Sequence, residues 1–402
     1  MVDPPAAPRP DQSAARAARR SAARRKRSAH ALVDKIDRPA VVTPTIEAAH
    51  RSTSVIARVG GALRTAGPVA LGLALLAAVC VLALTQGAAQ IPTGTAIALA
   101  LDRLPLVTIT PDVPATWQRI IVDVRLPRVA AAILVGAALS GSGAAYQGVF
   151  RNPLADPFLL GIASGAALGA ALAIVSPLPI DSYGFGWVPA SAFVAALLVV
   201  ALVTVLARSG GDMDGVSLIL AGVALSAICS AVSSFILLTG GEKAQPIFAF
   251  IFGGLNTVSW TRVAIALPYV FGGVAVLMVT SRALDVLQLD EEQAEHLGLH
   301  VARTKMIVLA AASLMAAAAV AVAGIIGFVG LMVPHAVRLA WGGGFRRLLL
   351  LSLIYGAVFL VLVDTFARTI ITPQEVPLGI ITAFIGGPAF LILMRRRRRW
   401  IL

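Results

Sequence analysis

Few side chains between residues 67 and 394 could do acid–base or ligand chemistry, and they fall at a handful of places. The densest group lies in the run 284–301, LDVLQLDEEQAEHLGLHV, which carries Asp285, Asp290, Glu291, Glu292 and Glu295. Leu287, Ala294 and Leu297 recur there at helical spacing, which predicts short amphipathic helices at a membrane surface, with Gly298 ending one of them. A solvated connecting loop is the simpler alternative. His335 follows Pro334 and invites a metal or proton role, but no cysteine or carboxylate accompanies it in sequence, so a structural histidine is expected. Asp364 and Arg368 stand four apart and suit an i,i+4 ion pair, although ionisable groups inside a membrane are expensive and often mark function. Cys80 and Cys229 lie in apolar runs without metal-ligand spacing and read as small hydrophobes. The chain has no GxxxxGK[ST], no HExxH, and no Ser/His or paired-aspartate set within its apolar runs. An intramembrane protease or lipid transferase would need one of those sets, so no covalent chemistry, cofactor or metal site is expected.

The elements that must position these residues belong to a membrane protein. Hydrophobic residues make up 58% of the chain, charged residues 13%, and mean hydropathy is +0.87, which leaves too little polar surface for a soluble fold. Ten apolar runs are long enough to span a bilayer, at about 68–86, 122–145, 158–176, 188–207, 216–239, 262–281, 304–323, 325–341, 348–370 and 377–394. The division between the seventh and eighth rests on Gly324 and its neighbours. The domain reading is therefore a basic, disordered tail over 1–66 and a transmembrane domain over 67–396. The first apolar run begins too far from Met1 for a cleavable signal peptide.

Charge sets the expected orientation. Residues 1–66 carry 13 Lys/Arg against 5 Asp/Glu, Arg395 to Arg399 add a second basic block, and the stretch between is neutral, within a net charge of +13. Both termini are thus expected in the cytoplasm, which requires an even number of spans. The cluster RRSAARRKRS over 19–28 suits anionic lipid better than nucleic acid, and no nucleic-acid partner is expected. The loops divide their Lys/Arg eight inside against seven outside, so the outer arginines need a separate explanation. Gly161, Gly165 and Gly169, and again Gly324, Gly327 and Gly330, recur at helical spacing and predict close helix packing. Gly143 and Pro153 match Gly324 and Pro334 in spacing, a faint internal repeat of the kind transporters invert.

Several words occur along the chain in a fixed order: RLPR, QGVFRNPLADPFLLG, LAGVALSAICSA, FGGLNTVSW, GIIGFVGLMVPH and PLGIITAFIGGP. Together they resemble the FecCD-type permeases of ABC importers for ferric siderophores, haem and cobalamin, over residues 68 to 394. The resemblance implies an all-α fold of about ten transmembrane helices, with type II importer architecture and a weak inverted repeat. It implies a homo- or heterodimer of permeases in the bacterial plasma membrane. Two ATPase subunits would bind from the cytoplasm and consume the ATP. An extracytoplasmic solute-binding protein would dock outside.

The resemblance also assigns sites. The pattern E-x-x-A-x-x-L-G fits Glu291 to Gly298 and places ATPase coupling on Asp290, Glu291, Glu292, Ala294, Leu297 and Gly298. The N-P-L turn places a cytoplasmic gate at Asn152, Pro153 and Leu154. Gly215 and Val216, in the region Asp214 to Ser217, form its other side, where residues depart from the family's and only the location carries over. Arg125, Arg128 and Arg368 match outer positions where arginines receive glutamates of the binding protein. Lipid phosphate, or Asp364 holding Arg368, is the alternative. Ferric siderophores are the expected cargo, with cobalamin and haem as alternatives.

Overall fold

The structure is a computed structural model that describes residues 66–87, 89, 91–102, 113–177, 186–208, 215–371 and 374–398, with side chains described as far as 392. The basic tail, Arg103, Asp214 and the Arg395–Arg399 side chains lie outside the described residues. Among those described, all regular structure is helical and no strand occurs.

Helices occupy every apolar run. In chain order they are α1 (Ala66–Thr85), α2 (Thr93–Leu101), α3 (Ala115–Arg119), α4 (Leu126–Val149), α5 (Ile162–Val175), α6 (Trp187–Ala207), α7 (Gly215–Thr239), α8 (Ala244–Phe252) and α9 (Trp260–Val279). They continue as α10 (Ser281–Val286), α11 (Glu291–His296), α12 (Val301–Ala323), α13 (Val329–Trp341), α14 (Phe345–Thr369) and α15 (Leu378–Arg398). Six of them, α1, α6, α7, α9, α12 and α14, are long and apolar enough to cross a membrane. A π-helical turn, Ile120–Arg125, joins α3 to α4, and the Trp260 indole donates to the Val122 carbonyl inside it at 3.0 Å. That contact gives the tryptophan of FGGLNTVSW a physical role.

The bundle is built around α4, which is buried along nearly its whole length and packs against α14, α12, α13 and α9. Small side chains make this possible, since helices in lipid associate by close backbone approach. A Cβ on Gly143 would overlap the backbone of Gly330 on α13, and one on Gly136 would overlap the backbone of Gly356 on α14. Gly161, Gly165 and Gly169 press α5 onto Val199, Ala195 and Ser191 of α6, the packing role their spacing predicts.

The second glycine series behaves differently. Gly324 lies in a break between α12 and α13 and presses on the Phe250 backbone at the end of α8, Gly327 faces open space, and Gly330 meets α4. The division around Gly324 is therefore a true interruption of the helix. Backbone groups freed inside a bilayer must find partners, and three interrupted segments supply them to each other. Gly254 N–H donates to the Ala323 carbonyl (2.7 Å), Ile325 N–H to the Phe250 carbonyl (3.2 Å) and Leu378 N–H to the Gly253 carbonyl (3.0 Å). The proposed residue repeat does not align equivalent elements. Gly143 sits inside α4 whereas Gly324 breaks a helix, and Pro153 lies in a turn whereas Pro334 lies inside α13.

Candidate functional site

The chain leaves α4 through a tight turn that brings the predicted gate residues together. Asn152 Oδ1 accepts from Leu154 N–H at 3.0 Å, and the Asn152 carbonyl accepts from Ala155 N–H at 3.0 Å. Asparagine suits this position because its short amide closes the turn on its own backbone. Gly215, at the start of α7, faces the ring of Phe150, and Val216 beside it is exposed. The 150–154 turn and the first residues of α7 are thus neighbours.

Asp156 ends the turn and caps the following 3-10 turn, Pro157–Leu160, its Oδ1 accepting from Phe158 N–H at 2.8 Å. Desolvation pushes this carboxyl up to about 6, and the Phe158 N–H offsets only part of the shift. A raised carboxyl pKa in the fold is a penalty present above the folded pKa and absent once the unfolded chain is also protonated, below about pH 4. Asp156→Asn keeps the acceptor oxygen and removes the charge. It should stabilise the protein by about 1–3 kcal/mol at pH 8 and leave stability unchanged near pH 4. Thermal unfolding in detergent at the two pH values checks this, and equal shifts at both would contradict it.

The acidic segment folds as the pattern predicts, into two short helices, α10 and α11. Asp290 caps α11 through its Oδ1, which accepts from Glu291 N–H at 2.9 Å. Gly298 terminates it with φ +83°, a left-handed conformation that would strain any residue with a side chain, although open space surrounds it. The side chains of the predicted coupling set divide between two faces. Glu292, Glu295 and Leu297 are exposed, Leu297 by 68%. Ala294, Leu287 and Leu284 are buried against the bundle.

Glu291 turns inward as well. Its Oε1 accepts from Arg151 at 2.9 Å and its Oε2 from Lys305 on α12 at 2.7 Å. Asp285 accepts from Phe345 N–H at the start of α14 (2.6 Å), and Gln288 donates to the Gly148 carbonyl at the end of α4 (3.0 Å). Arg151, Gln288 and Lys305 were not part of the sequence-predicted site. A lysine at the edge of the apolar run of α12 was the one signal that could have found them.

A second charged cluster lies at the opposite end of α4, about 36 Å away at helical rise. Arg125, Arg128 and Arg368 do meet there, and each has partners within the chain. Arg128 Nε donates to Asp364 (2.9 Å), and its Nη1 donates to Glu375 Oε1 (2.8 Å). Arg368 Nε pairs with Asp364 Oδ2 at 3.2 Å, the i,i+4 pair that their spacing suggests. Arg368 also donates to the Ala83 and Gln86 carbonyls, and Arg125 to those of Leu84 and Ala89. Two guanidinium groups thus cap the carboxy-terminal end of α1, whose last carbonyls carry the negative end of the helix dipole. Arg125 and Arg128 are buried in the single chain, at 4% and 6% exposure.

Among the described residues, no three His, Cys, Asp or Glu side chains converge as metal ligands. His335 lies half-buried on α13. Cys80 and Cys229 are both free thiols, half-buried and buried.

The model of the FecCD transport family matches residues 75–396. The chain is 43% identical over 338 residues to the cobalamin import system permease protein of Halobacterium salinarum, covering 82% of this chain and 90% of that one. It is 39% identical over 292 residues to the hemin transport system permease protein of Yersinia pestis, covering 71% and 85%. It is 36% identical over 292 residues to the Fe(3+) dicitrate transport system permease protein of Escherichia coli, covering 72% and 86%. Among solved structures it is similar to a metal-chelate type ABC transporter in an inward-facing conformation, with a TM-score of 0.70, 31% identity and coverage of 82% of this chain and 98% of that one.

Proposed function

The chain belongs to the FecCD transport family and is a membrane-embedded permease of an ABC importer, and from that premise we propose that it carries a ferric siderophore into the cell. It is a transport subunit, not an enzyme, and its family implies ATPase subunits and a second permease as partners. The finer reading comprises ten crossings of the plasma membrane with both termini cytoplasmic, and an alternating-access path between two permeases. The observation that carries it is the α10–α11 segment, which offers Glu292, Glu295 and Leu297 outward while its other face is fixed to α4 and α12. An ATPase docking on the outward face would move elements that reach the Asn152–Leu154 turn.

Helix α7 supports a dimer. Only 17% of its spanning window is buried within the chain, against 78% for α12, so a second subunit or lipid must cover the rest. The arginine cluster supports docking of a solute-binding protein by charge count alone. Arg128 and Arg368 hold Asp364, Arg128 also holds Glu375, and Arg125 binds main-chain carbonyls, so the cluster carries one positive charge more than its two carboxylates. Cobalamin is the second reading, favoured by the relative at 43% identity.

The test is purification from the native host combined with uptake in a deletion strain. An ATPase should co-purify with the full chain, and loss of the chain should abolish uptake of iron from a ferric siderophore. Normal iron uptake with lost cobalamin uptake would transfer the assignment to cobalamin. No co-purifying ATPase would overturn the importer mechanism.

A further inference from the structure

Glu291 lies where the two halves of the coupling problem meet. One of its carboxylate oxygens is held by Arg151, the other by Lys305. Arg151 immediately precedes the Asn152 turn, adopts a left-handed backbone (φ 48°), and also donates through Nη1 to the Leu289 carbonyl in the linker between α10 and α11. A non-glycine residue keeps such a conformation only where its surroundings hold it there, and here three contacts to the acidic segment do so, to the Leu289 carbonyl, to Glu291 and, at 3.6 Å, to Asp290. Lys305 is buried on α12, with 8% of its side chain exposed, and Glu291 is its ion-pair partner among the described residues. A buried ammonium cannot release its counter-ion cheaply. An exposed Arg–Glu pair alone contributes little, so the buried lysine is what keeps Glu291 in place.

We propose that Glu291 is a positioning residue. It transmits displacement of the α10–α11 segment through Arg151 to the Asn152–Leu154 turn, with Lys305 as the anchor on α12. The proposal rests on reading the chain as an ATP-driven permease. It gives Glu291 a different role from Glu292 and Glu295, which point outward and are left for the ATPase. Glu291 lies at the start of α11, three residues before the buried Ala294, and is tied to the bundle by its two ion pairs with 41% of its side chain exposed.

The complex of permease and ATPase, reconstituted in lipid, provides the test without requiring the solute. Leu154→Cys places a thiol in the turn while leaving the Asn152 amide to close it, and its labelling rate by a water-soluble maleimide is measured with and without ATP and vanadate. With Arg151, Glu291 and Lys305 intact, nucleotide should change the rate by about five-fold or more. In the Glu291→Gln and Arg151→Gln backgrounds that nucleotide-dependent change should disappear, and the double variant should behave like either single one. The proposal is overturned if Glu291→Gln keeps the full nucleotide-dependent change, or if the turn never responds to nucleotide. It is also overturned if the effects of the two substitutions multiply. A merely structural role would change the labelling rate equally with and without nucleotide, which also counts against it. Failure of the ATPase to co-purify with the native chain would instead remove the importer reading itself.

Discussion

Asp364→Ala is expected to destabilise the protein by about 3–5 kcal/mol, the largest effect of any single charge removal among the described residues. Asp364 is 1% exposed and holds two guanidinium groups at once, Arg128 at 2.9 Å and Arg368 at 3.2 Å. Its removal leaves two cations buried beside each other, with Glu375 reaching only Arg128. The damage should spread to α1, because Arg368 also binds the Ala83 and Gln86 carbonyls and loses the anion that positions it. Thermal unfolding in detergent measures the loss, and protease accessibility near residues 86–91 reports the release of α1. Asp364→Asn should recover a minor part, since the amide oxygen can accept one hydrogen bond but carries no charge. A midpoint within a degree of the unsubstituted protein would show that the cluster is solvated and its pairing incidental.

Gly143→Leu is expected to prevent assembly of the bundle. Even the first carbon of a side chain at Gly143 would overlap the backbone of Gly330, so no rotamer change can relieve the clash and α13 must move away from α4. Ordinary overpacking costs about 1–3 kcal/mol where side chains can yield, and a backbone-to-backbone clash exceeds that range. Gly143→Ala should already lower the yield of folded protein several-fold. Gly272→Ala is a matched control, because that glycine on α9 has open space around it. Full-length protein should be degraded in the Gly143 variants and retained in the control. Equal yields would mean that α4 and α13 are held further apart than this contact implies.

The helices were legible in the sequence because a bilayer allows few alternatives. Each spanning segment must satisfy its own backbone and present apolar side chains, and both requirements mark the sequence locally. The ten predicted runs therefore coincide with helices to within a few residues at most of their ends, even across the break at Gly324. The N-P-L turn and the glycine that ends α11 were legible for the same reason. An asparagine closing on its own backbone and a residue with positive φ are local events.

Pairing was not legible. Arg128 and Asp364 are 236 residues apart, and Arg151 and Glu291 are 140 apart, so no spacing rule connects them. Sequence reading could place Asp364 and Arg368 on one helix face, because i,i+4 neighbours meet whatever the fold does. It could not place Arg128 between Asp364 and Glu375, nor turn Glu291 inward while Glu292 stays outside. The sequence by itself determined where helices form, where the chain turns, and that the family's motifs run along it. The tertiary structure decided which charges meet, because the bilayer constrains each helix separately, whereas a buried ion finds its partner only after helices distant in sequence have packed.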